Sequence, residues 1–343
     1  MTIGKFVLPA LIIAWLLWRI EPEQWEQLRN QPKNYGLLVL AMVVALVAMS
    51  ISFARWCLLV RCQGIPLGLM EAFRLGAIGF SLSFISPGSV GGDLFKAVFL
   101  ARQYPGKKMA AAASVVVDRG CGLYGLLLLV SMAMLFRRGQ GQMATSGTPG
   151  ETQSGQLISI DGIATFTIIS VALGTLVLAV LILGGKLIDQ IINRLSTVPV
   201  MGKLITAIGP PLRSFHDHPV AFGCAVLMSV GVQASLVLSM TFISRGLFSD
   251  PPTTLEHFII VPAAMLASAL PITPAGTGVL EAAVDQLYNV VPAKPTTASG
   301  VLVALTFELV KIVVAAIGTF FYWTSGKDVR ATMEEAEAES VDR

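Results

Sequence analysis

Charge is what this chain has least of. Asp, Glu, Lys and Arg make up 13% of its 343 residues, against about 25% in a typical soluble domain. That shortage excludes an ordinary cytosolic enzyme, a disordered scaffold and a nucleic-acid binder. The net charge of +3 is too small to call for a polyanionic partner. Histidine is scarcer still: His216 and His218 flank Asp217, while His257 stands far away. The four cysteines (Cys57, Cys62, Cys121 and Cys224) form no C-x-x-C pair or metal-ligand spacing. Neither a metal nor a cofactor is expected. Also missing are G-x-S-x-G, H-E-x-x-H, Walker A and G-x-G-x-x-G elements. What is abundant is apolar: 54% of the residues are hydrophobic and the mean hydropathy is +0.73. The composition is that of an all-α integral membrane protein.

A hydrocarbon core of roughly 30 Å needs about 20 apolar helical residues. On that measure the chain offers six full transmembrane helices, around 6–20, 36–54, 112–135, 162–184, 219–244 and 299–323. The first resembles a signal peptide, but no A-x-A-like site follows and it reads as an uncleaved helix. Two further apolar stretches, 66–104 and 256–291, are interrupted by Ser86-Pro87-Gly88-Ser89-Val90-Gly91-Gly92 and by Thr273-Pro274-Ala275-Gly276-Thr277-Gly278. Unwound backbone at membrane depth survives only inside protein or beside a wet cavity. Two broken re-entrant hairpins are therefore expected, with eight helices as the count if each is instead a span.

Lys and Arg set the orientation. With the N-terminus inside, fifteen fall on the cytoplasmic side, Arg55 and Lys96 among them, and seven on the other, Arg137 among them. Both termini are then cytoplasmic, in a cell membrane. The second hairpin has no Lys or Arg between Leu247 and Val291, so the two hairpins are expected to enter from opposite faces. Residues 139–160 read as a flexible external loop. The stretch 186–218 reads either as an amphipathic surface helix or as a solvated connector. Residues 1–327 form the membrane domain and 328–343 an acidic disordered tail.

The two interruptions align without a gap, Ser86 falling on Thr273 at an offset of 187. The same offset relates the flanking spans, giving repeats at about 34–135 and 219–323. With one span between them, the second is inverted relative to the first. Inverted repeats with broken helices are a transporter architecture.

Ionisable groups inside a bilayer are expensive and are functional candidates by default. Here they are Asp93, Lys96, Asp118, Arg119, Glu281, Asp285, Glu308 and Lys311. Asp93 with Lys96 and Glu308 with Lys311 have the i,i+3 spacing of same-face pairs. Asp118 and Arg119 point in different directions and need partners elsewhere. Glu281 and Asp285 place two acids on one face. Gly91 and Gly92 open a half-helix whose amides and dipole favour an anion, Lys96 follows one turn later, and Arg119 can hold phosphate bidentately. Ser86 and Thr273 add hydroxyls. Lys96, Arg119 and Lys311, with the Gly91 and Gly92 amides, Ser86 and Thr273, are thus candidate binders of a phosphate-sized group. Asp93, Asp118, Glu281 and Glu308 are candidates for charge balance or proton carriage. Pro87, Gly88, Pro274, Gly276 and Gly278 form the breaks. The same charges read structurally are salt bridges that only pin helices together.

At these residues the chain resembles the lysylphosphatidylglycerol synthase transmembrane region, or flippase-like domain, family. Pro87-Gly88-Ser89-Val90-Gly91-Gly92-Asp93-Leu94-Phe95-Lys96 is similar to its P-G-x-x-G-G-[DE]-x-x-[KR]. Val115 to Arg119 resembles its apolar run closed by an acid and Arg, and Pro271 to Glu281 its P-x-x-P-x-G-x-G-x-x-E. Asp118 stands where Glu is more usual, and Ala275 where Gly is more usual. The resemblance implies the flippase-like half without the synthase chemistry. The expected function is movement of a lipid with an anionic headgroup through a cavity between inverted hairpins. Envelope-biosynthesis enzymes are possible partners and nucleic acid is not one. Two alternatives stay open: a membrane-embedded headgroup or glycosyl transferase with Glu281 or Glu308 as base, and a non-catalytic envelope-assembly partner.

Overall fold

The structure, a computed structural model, describes residues 32–84, 91–139, 160–183, 213–269 and 278–324, with positions 26, 29, 210 and 211. Among the described residues all regular structure is helical and no strand occurs. Nine helices have both ends defined. Five are long: α1 (Tyr35–Cys62), α4 (Lys108–Gly139), α5 (Ile160–Leu183), α6 (Pro219–Leu247) and α9 (Gly300–Thr324). Four are short: α2 (Leu69–Ser83), α3 (Gly91–Gln103), α7 (Thr254–Ser268) and α8 (Val279–Val290).

Length separates the two groups physically. α1, α4, α6 and α9 are long and apolar enough to cross a membrane, and cover the spans expected at 36–54, 112–135, 219–244 and 299–323. The span expected at 162–184 falls on α5, whose described apolar part is Thr167–Ala179. The span at 6–20, the loop at 139–160, most of 186–218 and the acidic tail lie outside the described residues. The short helices have 15, 13, 15 and 12 residues, or about 18–22 Å at 1.5 Å per residue. None of them alone covers a core of roughly 30 Å. The order long, short, short, long occurs twice, and the 187-residue offset carries Gly91, which opens α3, onto Gly278, the N-cap of α8.

The helices form two compact units. The first takes Met1–Ala48, Gly125–Ala172 and Gln233–Lys311, and so contains α7 and α8. The second takes Met49–Tyr124, Leu173–Val232 and Ile312–Arg343, and so contains α2 and α3.

In the first unit Ala41, Ala45 and Ala48 are buried on one face of α1, while Val39, Val43 and Val47 are exposed. Small residues let membrane helices approach closely, and Ser239 on α6 donates to the Ala41 carbonyl at 2.8 Å. α7 starts at a capping box, in which the Thr253 hydroxyl accepts from Glu256 N–H and Glu256 accepts from Thr253 N–H at 2.7 Å. The other Glu256 oxygen accepts from Ala293 N–H at 2.7 Å. His257 is fully buried, with Nδ1 2.9 Å from the Thr253 carbonyl and Nε2 2.9 Å from the Tyr288 hydroxyl, which also bonds Ser244. This polar chain ties α6, α7 and α8 together.

In the second unit α2 and α3 meet backbone to backbone. A Cβ added at Gly92 would collide with the Gly79 carbonyl oxygen. One at Gly79 would sit 2.9 Å from the Gly92 carbonyl oxygen and 3.1 Å from Lys96 Cε. Gly92 is therefore fixed by packing, a role the sequence reading did not assign. Around this crossing Trp56, Leu75, Ile78, Phe95 and Leu100 form a buried core. Lys107 closes the end of α1 by donating to the Gln63 and Gly64 carbonyls at 3.1 and 2.9 Å, a cation at a helix C-terminus.

Two charges assigned to the membrane surfaces belong inside helices. Arg55 is 4% exposed within α1, and Arg137 is 6% exposed near the end of α4. The apolar residues after Arg55, Trp56 to Val60, extend α1 to Cys62, beyond the expected end at 54. Arg137 donates to the Val291 carbonyl at 2.7 Å, which closes the C-terminus of α8.

Candidate functional site

Among the described residues each unit brings ionisable side chains together. In the second unit the hub is Asp93, in the first turn of α3. Lys96, one turn later, donates to its Oδ1 at 3.1 Å, and Arg119 of α4 reaches its Oδ2 through Nε. One carboxylate thus serves two cations and the trio keeps one positive charge. The Lys96 and Asp93 side chains are 13% and 17% exposed, that of Arg119 44%. The Lys96 ammonium lies 5.3 Å from the centre of the Trp56 ring, within cation–π range. Trp56 is itself buried, and its Nε1–H finds no acceptor among the described residues.

Beside this trio Asp118 pairs with Arg55. Arg55 Nε donates to Asp118 Oδ1 at 2.8 Å, Nη1 to Ser229 Oγ at 2.9 Å and Nη2 to Ser52 Oγ at 3.4 Å. Asp118 and Arg119, adjacent in sequence, do turn to different partners. Arg55, Trp56 and Ser229 were missed by the sequence reading. The signal was available, because the run after Arg55 stays apolar through Val60.

In the first unit the cluster is acidic. Glu308 is 1% and Glu281 4% exposed. Lys311 Nζ lies 2.6 Å from Glu308 Oε1, the expected i,i+3 pair, and 6.0 Å from the centre of the Phe307 ring. Glu281 Oε2 accepts from Gly278 N–H at 2.5 Å. Gly278 has φ 86°, the left-handed region that favours glycine. Glu281 Oε1 and Glu308 Oε2 have no hydrogen-bond donor among the described residues. Asp285, one turn on from Glu281 along α8, accepts from Val301 N–H at 3.4 Å at the start of α9.

Gly91 and Gly92 occupy the first turn of α3. Ser86, Pro87, Gly88, Thr273, Pro274 and Gly276 lie outside the described residues. No group of three or more His, Cys, Asp or Glu side chains gathers to hold a metal ion among the described residues.

Fold and clusters together define a multi-pass helical membrane protein with polar sites set into apolar helices. Comparison with known families makes this specific. The chain belongs to the family described as Lysylphosphatidylglycerol synthase TM region, which matches residues 3–318 and so covers nearly all of it. The family ties the protein to membrane lipid. No curated protein and no solved structure matches it.

Proposed function

We propose that this protein is a flippase-like lipid transporter of the cell membrane, with both termini cytoplasmic, that moves a lipid with an anionic, phosphorylated headgroup. The observation that carries the reading is the Asp93 hub. A half-buried carboxylate, Asp93, holds Lys96 and Arg119 together, so the trio itself carries one net positive charge, the sign an anionic headgroup requires. The Arg119 fork supplies bidentate donors. Trp56 Nε1–H is a buried donor in want of an acceptor, and the first-turn amides at Gly91 and Gly92 add the positive end of α3. Asp93 and Asp118 hold the cations in place. The acyl tails stay in the bilayer while the headgroup crosses.

The reading is of transport without chemical change. The test is reconstitution of the full chain in liposomes carrying a fluorescent anionic lipid, with inward and outward label counted by chemical quenching. Arg119→Ala combined with Lys96→Ala is expected to bring flipping to the protein-free rate. Unchanged flipping in that double variant would overturn the site. A covalently altered lipid after incubation would overturn transport in favour of group transfer.

A further inference from the structure

The acidic cluster of the first unit has an unbalanced charge of its own. Glu281 on α8 and Glu308 on α9 are both buried, and Lys311 is ion-paired to Glu308; the two helices pack closely, Gly300 lying against the Asp285 backbone. The charges acting on Glu308 are Lys311, on its own helix, and Glu281 on α8. The next charged groups on these elements are Asp285, half-buried, whose Oδ1 accepts from Val301 N–H, and Arg137, which donates to the Val291 carbonyl at the far end of α8. One negative charge is left over where water is excluded. A buried polar atom without a partner is costly, and a buried unpaired charge far more so. Here Glu281 Oε1 and Glu308 Oε2 stand without a donor among the described residues, while Glu308 Oε1 has the Lys311 ammonium 2.6 Å away.

A proton resolves both defects in one step. Protonation of one carboxylate removes the net negative charge and turns one acceptor-only oxygen into a donor. Two carboxylates that share a buried site hold one proton between them for this reason. A hard divalent cation instead takes six to eight oxygens, and the described residues bring two carboxylates here. We propose that Glu281 and Glu308 form a single-proton site, neutral with Lys311 when loaded and negative by one charge when the proton leaves. Loading is association of H⁺ with one carboxylate oxygen, and unloading is its dissociation, with no other reactant. The proton site rests on the residues above. Its use, one proton exchanged per lipid moved, rests on the transporter reading.

The experiment is infrared difference spectroscopy of the full chain in lipid vesicles across a pH titration. Parallel flipping assays with the fluorescent anionic lipid run with and without an imposed pH gradient. Wild type is expected to show a protonated-carboxyl C=O band that titrates away as pH rises. In Glu308→Gln and in Glu281→Gln one carboxylate and one ammonium remain, neutral together without a proton, so the band is lost. A wild-type spectrum without such a band overturns the site, as does a band unchanged in both variants. For coupling, wild-type flipping is expected to respond to the gradient and both Gln variants to lose that response. A response to a sodium gradient alone overturns proton coupling. The titrating band without any flipping leaves the proton site standing and removes the transporter reading. Gradient-insensitive flipping without the band does the opposite.

Discussion

Removing the Arg55 guanidinium tests the buried electrostatics most directly. The Arg55 and Asp118 side chains are 5% and 11% exposed and meet at 2.8 Å. Arg55 is the ion-pair partner of Asp118 among the described residues, so Arg55→Met strands a carboxylate in an apolar interior. Breaking a buried pair on one side costs about 3–5 kcal/mol, chiefly from the charge left behind. Ser229 does not add to this, since its hydroxyl also bonds the Ala225 carbonyl at 2.9 Å and stays satisfied. Arg55→Lys keeps the charge but gives up the fork to Ser229 and Ser52. That loss is of order 1–2 kcal/mol, from one or two neutral-acceptor bonds. Arg55→Met with Asp118→Leu removes both charges, and buried pairs replaced by apolar residues are often neutral to within about 1 kcal/mol or stabilising.

The order of thermal midpoints of purified protein, followed by tryptophan fluorescence, should therefore be wild type and the double variant together, then Arg55→Lys, then Arg55→Met. A double variant as unstable as Arg55→Met would refute the reasoning, because the loss would then lie in packing and not in a stranded charge. An unchanged midpoint in Arg55→Met would refute the burial itself.

Other substitutions probe the remaining parts. Trp56→Phe keeps an aromatic ring under Lys96 and deletes the buried N–H; we expect the midpoint to hold and anionic-lipid flipping to fall roughly three- to tenfold, the value of about one hydrogen bond. Arg119→Lys preserves charge and loses the fork, so flipping should fall about tenfold rather than recover, as measured in the same liposomes. Gly92→Ala drives a methyl into the Gly79 carbonyl, and the overpacking should cost about 1–3 kcal/mol, read as a lowered midpoint and poor yield. Gly278→Ala forces a side chain into φ 86°, with an expected cost of about 1–2 kcal/mol by the same measurement.

The sequence carried the architecture because membrane spans obey one dominant constraint, about 20 apolar residues per crossing. The Pro-Gly interruptions then separated short helices from long ones. The i,i+3 pairs Asp93–Lys96 and Glu308–Lys311 were legible because helical spacing fixes which side chains share a face. Partners across helices were not. Arg119 to Asp93 and Arg55 to Asp118 depend on how α1, α3 and α4 pack, which no local period encodes. The Gly92–Gly79 contact was hidden for the same reason, since a glycine needed for helix approach looks in sequence like one needed for a turn. The helix runs on past Arg55 because the residues after it stay apolar through Val60, so a charge within the run did not mark its end. A cation tolerated in mid-helix implies a buried acid waiting for it, and each such pair fixes one helix against another. By that logic the net charge of each cluster, positive for Asp93 with Lys96 and Arg119, negative for Glu281 and Glu308 with Lys311 when all three are ionised, is the part that helix pairing does not require. Removing a paired charge should therefore cost stability, whereas neutralising a surplus one should spare the fold and change transport.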